Sequence, residues 1–419
     1  MEQEVPSMPV PVSADMSVGE RIRAWRVYRG MTQEQCAGLV GRSLSWWKKV
    51  EAGLRHVERL SDLILIAQVL KVKYLEDITG ALEISLSRDR IREHPMRPHI
   101  QEAMHAAVAP QTRSDGEPVP LVCLRTRLSE AWAIYRDHPR LVARLADVVP
   151  DLLGAAADTH HRAEDLPARR DAAAVLCEVY ILISRFMRHV SAFDLARMAS
   201  DRAMLLAREA DEPVTLTLAA WQTAGVLKDL GMLDEAVQTG LDAIPILEPY
   251  LADASDNVLA AWGHLQLQAG LNAGHLTDEG TALRYWDAGA EVMRRLPADY
   301  VHPVTAFRHG EVGVFAIRTY TALGRNSAAL QASQRLDIST VPVRASRALG
   351  LIDMARGHVA RRQNTAAMHI LRQAETESSE TVEHNVYVRE IIRLLLRTAD
   401  RNLGREAHEF AQRIGVFAS

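Results

Sequence analysis

The sequence predicts an all-α protein with two parts, a five-helix head followed by a long α-solenoid. The first observation is that apolar residues recur at the spacing of buried helix faces. An example in the head is the series Leu60, Leu63, Ile66, Ala67 and Leu70. The second is that no segment from Leu121 onward alternates apolar and polar residues as a strand does. The third is that small residues recur seven positions apart in that region, which is about two helical turns.

Length and composition indicate how the chain is organised into domains. The chain has 419 residues, 48% of them hydrophobic, and with ~150 residues per domain we expect two to four domains. Residues 1–16 are rich in Pro, Val and Ser, and we expect them to form a disordered tail. We expect residues 17–80 to form the head. Residues 81–120 predict a connecting helix and a linker that contains APQTRSDGEPVP, and residues 121–419 predict the body.

Charge is distributed unevenly along the chain. Residues 17–80 contain eleven Lys/Arg and seven Asp/Glu, or +4, and because the net charge is −4 the remainder carries −8. Four of the five lysines in the chain lie in this segment, namely Lys48, Lys49, Lys71 and Lys73. A basic head on an acidic body is typical of a protein that contacts nucleic acid locally and keeps its body away from the phosphates.

The three cysteines, Cys36, Cys123 and Cys177, are far apart and form neither a metal-ligand nor a disulfide pattern. The histidines of segment 94–105 lack the i, i+4 spacing and the acidic partner of a metal site. We therefore expect no metal, no cofactor, and a reducing, cytoplasmic setting. No apolar run approaches the ~20 residues that span a bilayer. The N-terminus lacks the basic and apolar regions of a signal peptide, so we expect no membrane partner.

Residues 31–53 predict two short helices joined by a tight turn. Two N-cap residues and a turn glycine mark their ends, and these are Thr32, Ser43 and Gly41. On the second helix, Trp47 and Val50 share an inward face. The outward face carries Leu44, Ser45, Lys48 and Lys49. Short polar and cationic groups at a helix N-terminus can bond to base edges in the major groove of DNA.

This stretch resembles the Cro/C1-type (XRE family) helix-turn-helix domain. The matching residues are Thr32-Gln33-Glu34, Ala37, Gly41, Ser43, Trp47 and Val50-Glu51-Ala52-Gly53, and the resemblance extends from Val18 to about Gly80. It implies a head of five helices that binds double-stranded DNA. The residues expected to contact the DNA backbone are Thr32, Gln33, Arg42, Ser43, Lys49 and Arg55. Those expected to read bases are Leu44, Ser45, Trp46 and Lys48. The alternative is a helical pair with no role in DNA binding.

Small residues in the body fall on the second helices of predicted helical hairpins. The pairs are Ala196/Ala203, Ala236/Ala243, Ala282/Gly289 and Ala367/Ala374. Small residues two turns apart let a neighbouring helix approach closely, and this pattern resembles the tetratricopeptide repeat, most closely at residues 212–245. Successive repeats lie 38 to 47 residues apart, more than the 34 of that repeat. The resemblance implies a solenoid of six to eight hairpins; the alternative is a helical bundle without superhelical order.

A solenoid makes a concave surface from its first helices, and polar side chains there are candidate ligand contacts. Arginines could clamp a carboxylate or phosphate, and amides could hold a peptide backbone. One stripe at helical spacing consists of Arg308, Glu311, Phe315 and Arg318. A second predicted helix contributes Asn257, His264 and Gln268, and a third contributes Trp221 and Gln222. The competing interpretation is an exposed polar face with intrahelical ion pairs.

The layout of a Cro-like head on a tetratricopeptide-like body is similar to that of the RRNPP regulators. It implies a homodimer with a small-molecule, peptide or protein effector. The sequence contains no P-loop, HExxH, GxSxG or recognisable Cys–His pair, so we expect no enzyme. The predicted function is a sequence-specific transcriptional regulator whose body dimerises and senses an effector. The rival is a protein-interaction scaffold whose head serves assembly; an exposed basic face at residues 43–49 favours the regulator.

Overall fold

The computed structural model describes residues 16–53, 57, 60–72, 76–79, 93–108, 117–398 and 401–416. It is 78% helical, and the described residues contain no strand, which confirms the predicted all-α class. The chain divides into two compact units, residues 1–91 and 92–418. Residues 1–15, 80–92 and 109–116, which hold most of the predicted tail and much of the predicted connector, lie outside the described residues. The domain boundaries stay predictions.

Five helices make up the described part of the first unit, as predicted. They are α1 (Val18–Tyr28), α2 (Gln33–Leu39), α3 (Leu44–Glu51), α4 (Leu60–Val69) and α5 (Glu76–Thr79). Ser17, Thr32 and Ser43 cap the first three helices, each through a side-chain oxygen that accepts a backbone N–H of the first turn. Gly41, between α2 and α3, has a φ of 67°, a left-handed conformation that glycine adopts without strain.

The core of the head draws apolar side chains from all five helices. Its members include Ile22, Ala37, Trp47, Ile66 and Ile78. A buried carboxylate, that of Glu51, ties three helices together by accepting hydrogen bonds from Arg26 (2.6 Å), Gln33 (2.7 Å) and Trp47 (2.6 Å). Burial would raise the pKa of Glu51, but these bonds hold the pKa below its ordinary value. The two helices of the predicted helix-turn-helix are therefore fixed to each other and to α1 by one ionised group.

Sixteen further α-helices lie in the described part of the second unit. They are α6 (Arg97–Ala106), α7 (Leu121–Asp137), α8 (Leu141–His161), α9 (Leu166–His189), α10 (Phe193–Ala210), α11 (Pro213–Asp229), α12 (Leu233–Leu247), α13 (Asp256–His275), α14 (Glu279–Arg295), α15 (His309–Ala322), α16 (Asn326–Arg335), α17 (Arg344–Ala360), α18 (Asn364–Glu377), α19 (Ser379–Glu383), α20 (Val386–Thr398) and α21 (Arg401–Arg413). Short 3-10 helices occupy Glu248–Tyr250 and Ile338–Thr340. Among the described helices, none has both the length and the apolar character that crossing a membrane requires.

From α7 onward the helices pair as seven hairpins. The pairs are α7/α8, α9/α10, α11/α12, α13/α14, α15/α16, α17/α18 and α20/α21. Their first helices also contact one another in chain order, which is how a solenoid stacks. The small residues predicted on the second helices are fully buried at Ala196, Ala236, Ala282 and Ala367. The predicted solenoid of six to eight hairpins is confirmed.

The solenoid of the second unit closes on itself. Helix α17, the first helix of the sixth hairpin, contacts α7, the first helix of the first hairpin. The first helices thus face one another across an interior. One large hydrophobic core contains residues from Ile100 to Ala345, and another contains residues from Ala348 to Ile414.

Candidate DNA-binding surface and interior polar cluster

Helix α3 packs one face into the head and leaves the other exposed. Ser43 caps it by accepting a hydrogen bond from the backbone N–H of Trp46 (3.2 Å). Trp47 and Val50 are buried, as predicted. The opposite face presents Ser45, Lys48 and Lys49, which are exposed, and Leu44, which is half-buried. Neither lysine has a charged partner among the described residues, so both ammonium groups are available to an anionic surface.

A concave surface of about 470 Å³ lies beside the N-terminus of α3. It is lined by Gly41, Arg42, Ser43, Ser45, Trp46 and Lys49. The Arg42 guanidinium lies 5.6 Å from the centre of the Trp46 ring and donates from Nη2 to both carboxylate oxygens of Asp62, each at 2.9 Å. These contacts hold a cation at the rim, next to the exposed Lys49.

The other predicted DNA contacts are placed differently. Trp46 is only 8% exposed and belongs to the head core. The prediction that it reads bases is corrected, because most of the side chain packs in that core and only a small part borders the concave surface. Gln33 donates its amide to Glu51 at 2.7 Å, which commits that side chain to the interior of the head. The exposed Thr32 accepts the backbone N–H of Gln35 at 3.1 Å as the cap of α2. Arg55 lies outside the described residues.

In the second unit, inward side chains of the first helices meet in a group that we call the interior cluster. It consists of Tyr135, Arg185, Trp221, His264, Glu311, Phe315 and Arg318. The guanidinium carbon of Arg185 lies 4.9 Å from the centre of the Tyr135 ring and 4.6 Å from that of Trp221. Arg185 also donates from Nε to the Tyr135 hydroxyl at 3.0 Å. The His264 ring lies 4.7 Å from Trp221 and 5.2 Å from Phe315. The cluster therefore joins five hairpins.

Glu311 is the acid of the interior cluster. It is 4% exposed, and burial raises its pKa to about 7 even though Arg185 and Arg318 act in the opposite direction. Its carboxyl group therefore gains and loses a proton near neutral pH. Burial also holds the pKa of His264 well below its ordinary value, so this imidazole is neutral at physiological pH.

Several buried polar atoms of the interior cluster have no hydrogen-bond partner within the described parts of the chain. They are Arg185 Nη1, Trp221 Nε1, His264 Nδ1 and Glu311 Oε1. An unpaired buried donor or acceptor costs about 1–3 kcal/mol. Such atoms are rare in folded proteins and call for a partner from water or a ligand.

Cations outnumber acids around the interior cluster. The cations are Arg185, Arg188, Lys228, Arg318 and Arg356, and the acids that pair with them are Asp229 and Asp353. Burial would raise the pKa of Asp229, but Arg188 and Lys228 hold that pKa below its ordinary value. Arg318 and Arg356 both approach Asp353, at 3.7 Å and 3.0 Å. In the described residues, no group of three or more His, Cys, Asp or Glu is placed to hold a metal ion.

Five of the predicted ligand residues meet in the interior cluster, but on a buried surface. Trp221, His264, Glu311 and Phe315 are each 2–4% exposed, and Arg318 is half-buried. That these residues contact a ligand stays a prediction, but they line a closed interior and not an open concave groove. The competing interpretation, an exposed polar face with intrahelical ion pairs, does not describe them. The reason is that the solenoid closes, which brings the first helices face to face.

The other predicted ligand residues lie apart from the interior cluster. Gln222 donates to Ser184 at 2.8 Å, and Gln268 donates to Asn272 at 2.7 Å. Both amides are buried. The bond of Gln222 joins α11 to α9, whereas that of Gln268 lies within α13. Outside the cluster also lie Asn257, which is exposed, and Arg308, which is the half-buried N-cap residue of α15.

Comparison with protein families identifies the first unit. Residues 17–76 match the family described as "Helix-turn-helix domain". The first unit is a helix-turn-helix domain. The match covers α1 to α4 and the first residue of α5, so it includes the surface around α3. Such domains bind DNA through the second of the two helices in the helix-turn-helix motif. The match therefore supports a DNA-binding regulator.

Solved structures similar to the chain are more distant. A Rap protein complexed with competence and sporulation factor is 11% identical, over 71% of this chain and 89% of that one, with a TM-score of 0.42. Aspartyl phosphate phosphatase F from Bacillus subtilis is 12% identical, over 91% and 97%, with a TM-score of 0.43. Bacillus thuringiensis PlcR in complex with the peptide PapR7 and DNA is 14% identical, over 67% and 95%, with a TM-score of 0.27. No curated protein matches the sequence of this chain.

Local spacing predicted the helix-turn-helix domain. It did not predict all members of the interior cluster or all of the charged residues around them. The residues that sequence reasoning missed are Tyr135, Arg185, Arg188, Asp353 and Arg356. One signal pointed to Arg185, since it interrupts the largely apolar segment 172–187. An arginine inside such a helix is seldom buried without a partner, and here the partners are two aromatic rings.

Proposed function

We propose that the chain is a cytoplasmic, sequence-specific DNA-binding transcriptional regulator. The observation that carries the proposal is the outward face of α3 in the helix-turn-helix domain. Ser45, Lys48 and Lys49 are exposed there, while the opposite face of the helix is buried. In this proposal Lys48, Ser45 and Leu44 read bases, and Lys49 contacts the DNA backbone. Thr32, Ser43 and Arg42 adjoin this face and complete the backbone contacts.

The test is the double variant Lys48→Ala plus Lys49→Ala. We expect its affinity for duplex DNA to fall by about tenfold or more, with a shallower dependence on salt, because both ammonium groups displace counterions from phosphates. Fluorescence anisotropy at several salt concentrations measures both effects.

The matched control is Arg294→Ala plus Arg295→Ala, which removes two adjacent exposed cations from the last turn of α14 in the second unit. Equal affinity in the two double variants, with both proteins folded by circular dichroism, would rule out α3 as the DNA-reading helix.

We also propose that the body forms a homodimer and that the interior cluster binds an effector. The charge supports an anionic group on that effector, since five cations surround the cluster. Four polar atoms there lack partners in the described chain, and Trp221 and Phe315 offer apolar contact. A small anionic molecule or a peptide with a carboxylate meets these requirements. To regulate, it must bind two shapes of the body with different affinity, and a tenfold difference corresponds to about 1.4 kcal/mol.

Arg318 and Arg308 provide a matched pair for testing the effector site. Both belong to the stripe predicted from the sequence, but only Arg318 lies in the interior cluster. Cell extract that contains the effector should raise the melting temperature of the protein and change its DNA binding. We expect Arg318→Ala to abolish both of these effects. Arg308→Ala should preserve both. An effector whose binding is indifferent to Arg318→Ala would place the site elsewhere.

A further inference from the structure

The contact between the last hairpins and the first hairpins of the second unit is polar. The C-terminal segment, which we define as residues 344–416, has a hydrophobic core largely its own. Where this segment meets the start of the unit there is a cavity of about 500 Å³. Its lining includes the charged and polar side chains of His94, Arg140, Glu380, His384, Arg389 and Arg413. A polar junction can separate without exposing much apolar surface to water.

Glu380 makes the central contact of this junction. It lies on α19 and is 4% exposed. Its carboxylate accepts the backbone N–H of Val142 at 2.9 Å and that of Ala143 at 3.2 Å, from positions 238 and 237 residues away. Those two amides belong to the first turn of α8, whose own N-cap residue, Arg140, supplies no side-chain cap. Glu380 thus caps a helix of the first hairpin from near the far end of the chain.

Two further contacts converge on the same place. His94 Nδ1 accepts the backbone N–H of Met96 at 3.3 Å, so the neutral ring carries its proton on Nε2. That Nε2 atom faces Glu380 Oε1 at 3.4 Å. Ser191, which follows α9, donates to the backbone carbonyl of His384 at 2.9 Å. The segment around α19 is therefore bonded to three parts of the chain that precede residue 192.

We propose that Glu380 is a latch that keeps the solenoid closed, and that its release lets the C-terminal segment move away from the first hairpins. The released groups are a carboxylate and two first-turn amides, which water can solvate in the open form. The closed form gains charge-assisted hydrogen bonds, which are worth more than neutral ones. The latch is independent of the proposed function. Only the consequence of the latch rests on the proposed function, since opening the contact of α7 with α17 would admit an effector to the interior cluster.

Hydrogen exchange of the full chain tests the latch directly, because the amides of Val142 and Ala143 are the groups that Glu380 binds. We expect Glu380→Gln to speed their exchange by about tenfold or more, since hydrogen bonds to a charged group are stronger than those to a neutral amide. The matched control is Glu406→Gln, which breaks the half-buried ion pair with Arg372 inside the C-terminal segment and should leave these amides protected. Unchanged protection in a folded Glu380→Gln variant overturns the proposal.

A second variant separates opening from the loss of the cap. Arg140→Asp places a preferred N-cap residue at the start of α8, so the helix stays capped while a like charge repels Glu380. We expect a larger radius of gyration by small-angle X-ray scattering and faster exchange of α19, with α8 still protected. An unchanged radius and unchanged α19 exchange in this variant overturn the latch. This test decides alone where Glu380→Gln does not fold. Neither measurement uses DNA or an effector, so failure of the latch leaves the proposed function untouched.

Discussion

A single carboxylate, that of Glu51, explains much of how the head holds α3 in position. It binds Arg26 on α1, Gln33 on α2 and Trp47 on α3 at the same time. Removing one partner of such a buried group leaves a charge uncompensated, and this costs about 3–5 kcal/mol. The exposed face of α3 therefore depends on residues that never face outward.

Gly19 offers a prediction about the same packing. A Cβ atom at this position of α1 would lie 2.2 Å from the backbone carbonyl oxygen of Val50, which cannot move like a side chain. We expect Gly19→Ala to destabilise the head by about 1–3 kcal/mol or more, as overpacking does. Hydrogen exchange of the α1 and α3 amides at increasing urea concentrations measures the change.

Gly38 on α2 is the matched control for Gly19. A Cβ atom there would meet nothing within 4 Å, so Gly38→Ala should stabilise the head by about 0.5–1 kcal/mol through helix propensity. If both substitutions changed the stability in the same direction, the close approach of α1 to α3 would not be what constrains Gly19.

The DNA-binding residues show which features of a site local sequence can reveal. The caps Thr32 and Ser43 and the outward lysines follow from spacing within one helix, and the structure has caps and exposed lysines at those positions. Gln33 and Trp46 are predicted to face DNA in the same way, but Gln33 bonds to Glu51 on α3 and Trp46 packs into the head core. Arg42 keeps its place beside the exposed face but also pairs with the distant Asp62. Helical spacing cannot reveal such partners.

At the scale of helices, the repeat was predictable because close packing leaves a mark in sequence. A second helix can approach its neighbours only where residues such as Ala236 and Ala243 are small, and both are buried. The repeats exceed the tetratricopeptide length partly because some first helices are long. Helix α9 has 24 residues and α13 has 20.

The burial of the first helices was not predictable from their own periodicity. Helix α15 carries Glu311 and Phe315 on a face that reads as polar and aromatic in sequence, and we expected it to be exposed. It is buried because hairpins that precede and follow it enclose it. The degree of closure depends on small rotations between seven hairpins, which no single helix encodes.

For the whole molecule, the second unit combines a positive, partly unpaired interior with a polar junction near its ends. A body that served only to tether the head would gain nothing from placing five half-buried cations around its interior. Each is costly to take out of water unless it is paired, and the cations outnumber their acidic partners. This imbalance is the strongest physical reason to expect that an anion completes the interior.

The last prediction concerns assembly on DNA. One helix-turn-helix domain reaches only a few base pairs, so specificity requires two domains on two half-sites. We expect the full chain to be a dimer by light scattering at micromolar concentration, with half-site centres ~34 Å apart or a multiple of this distance. Lengthening the spacer of the operator by half a turn, ~5 base pairs, should weaken binding strongly because it places the second half-site on the opposite face of the duplex.

A full-turn insertion of ~10 base pairs is the control for that experiment, since it restores the facing of the half-sites. It should cost less affinity than the half-turn insertion if the two domains are joined by the bodies. Light scattering on residues 92–419, the second unit with its C-terminal residue, then locates the interface. A dimer of this fragment assigns the interface to the body. A monomeric full chain whose affinity ignores both insertions would refute the dimer and leave one domain to bind DNA alone.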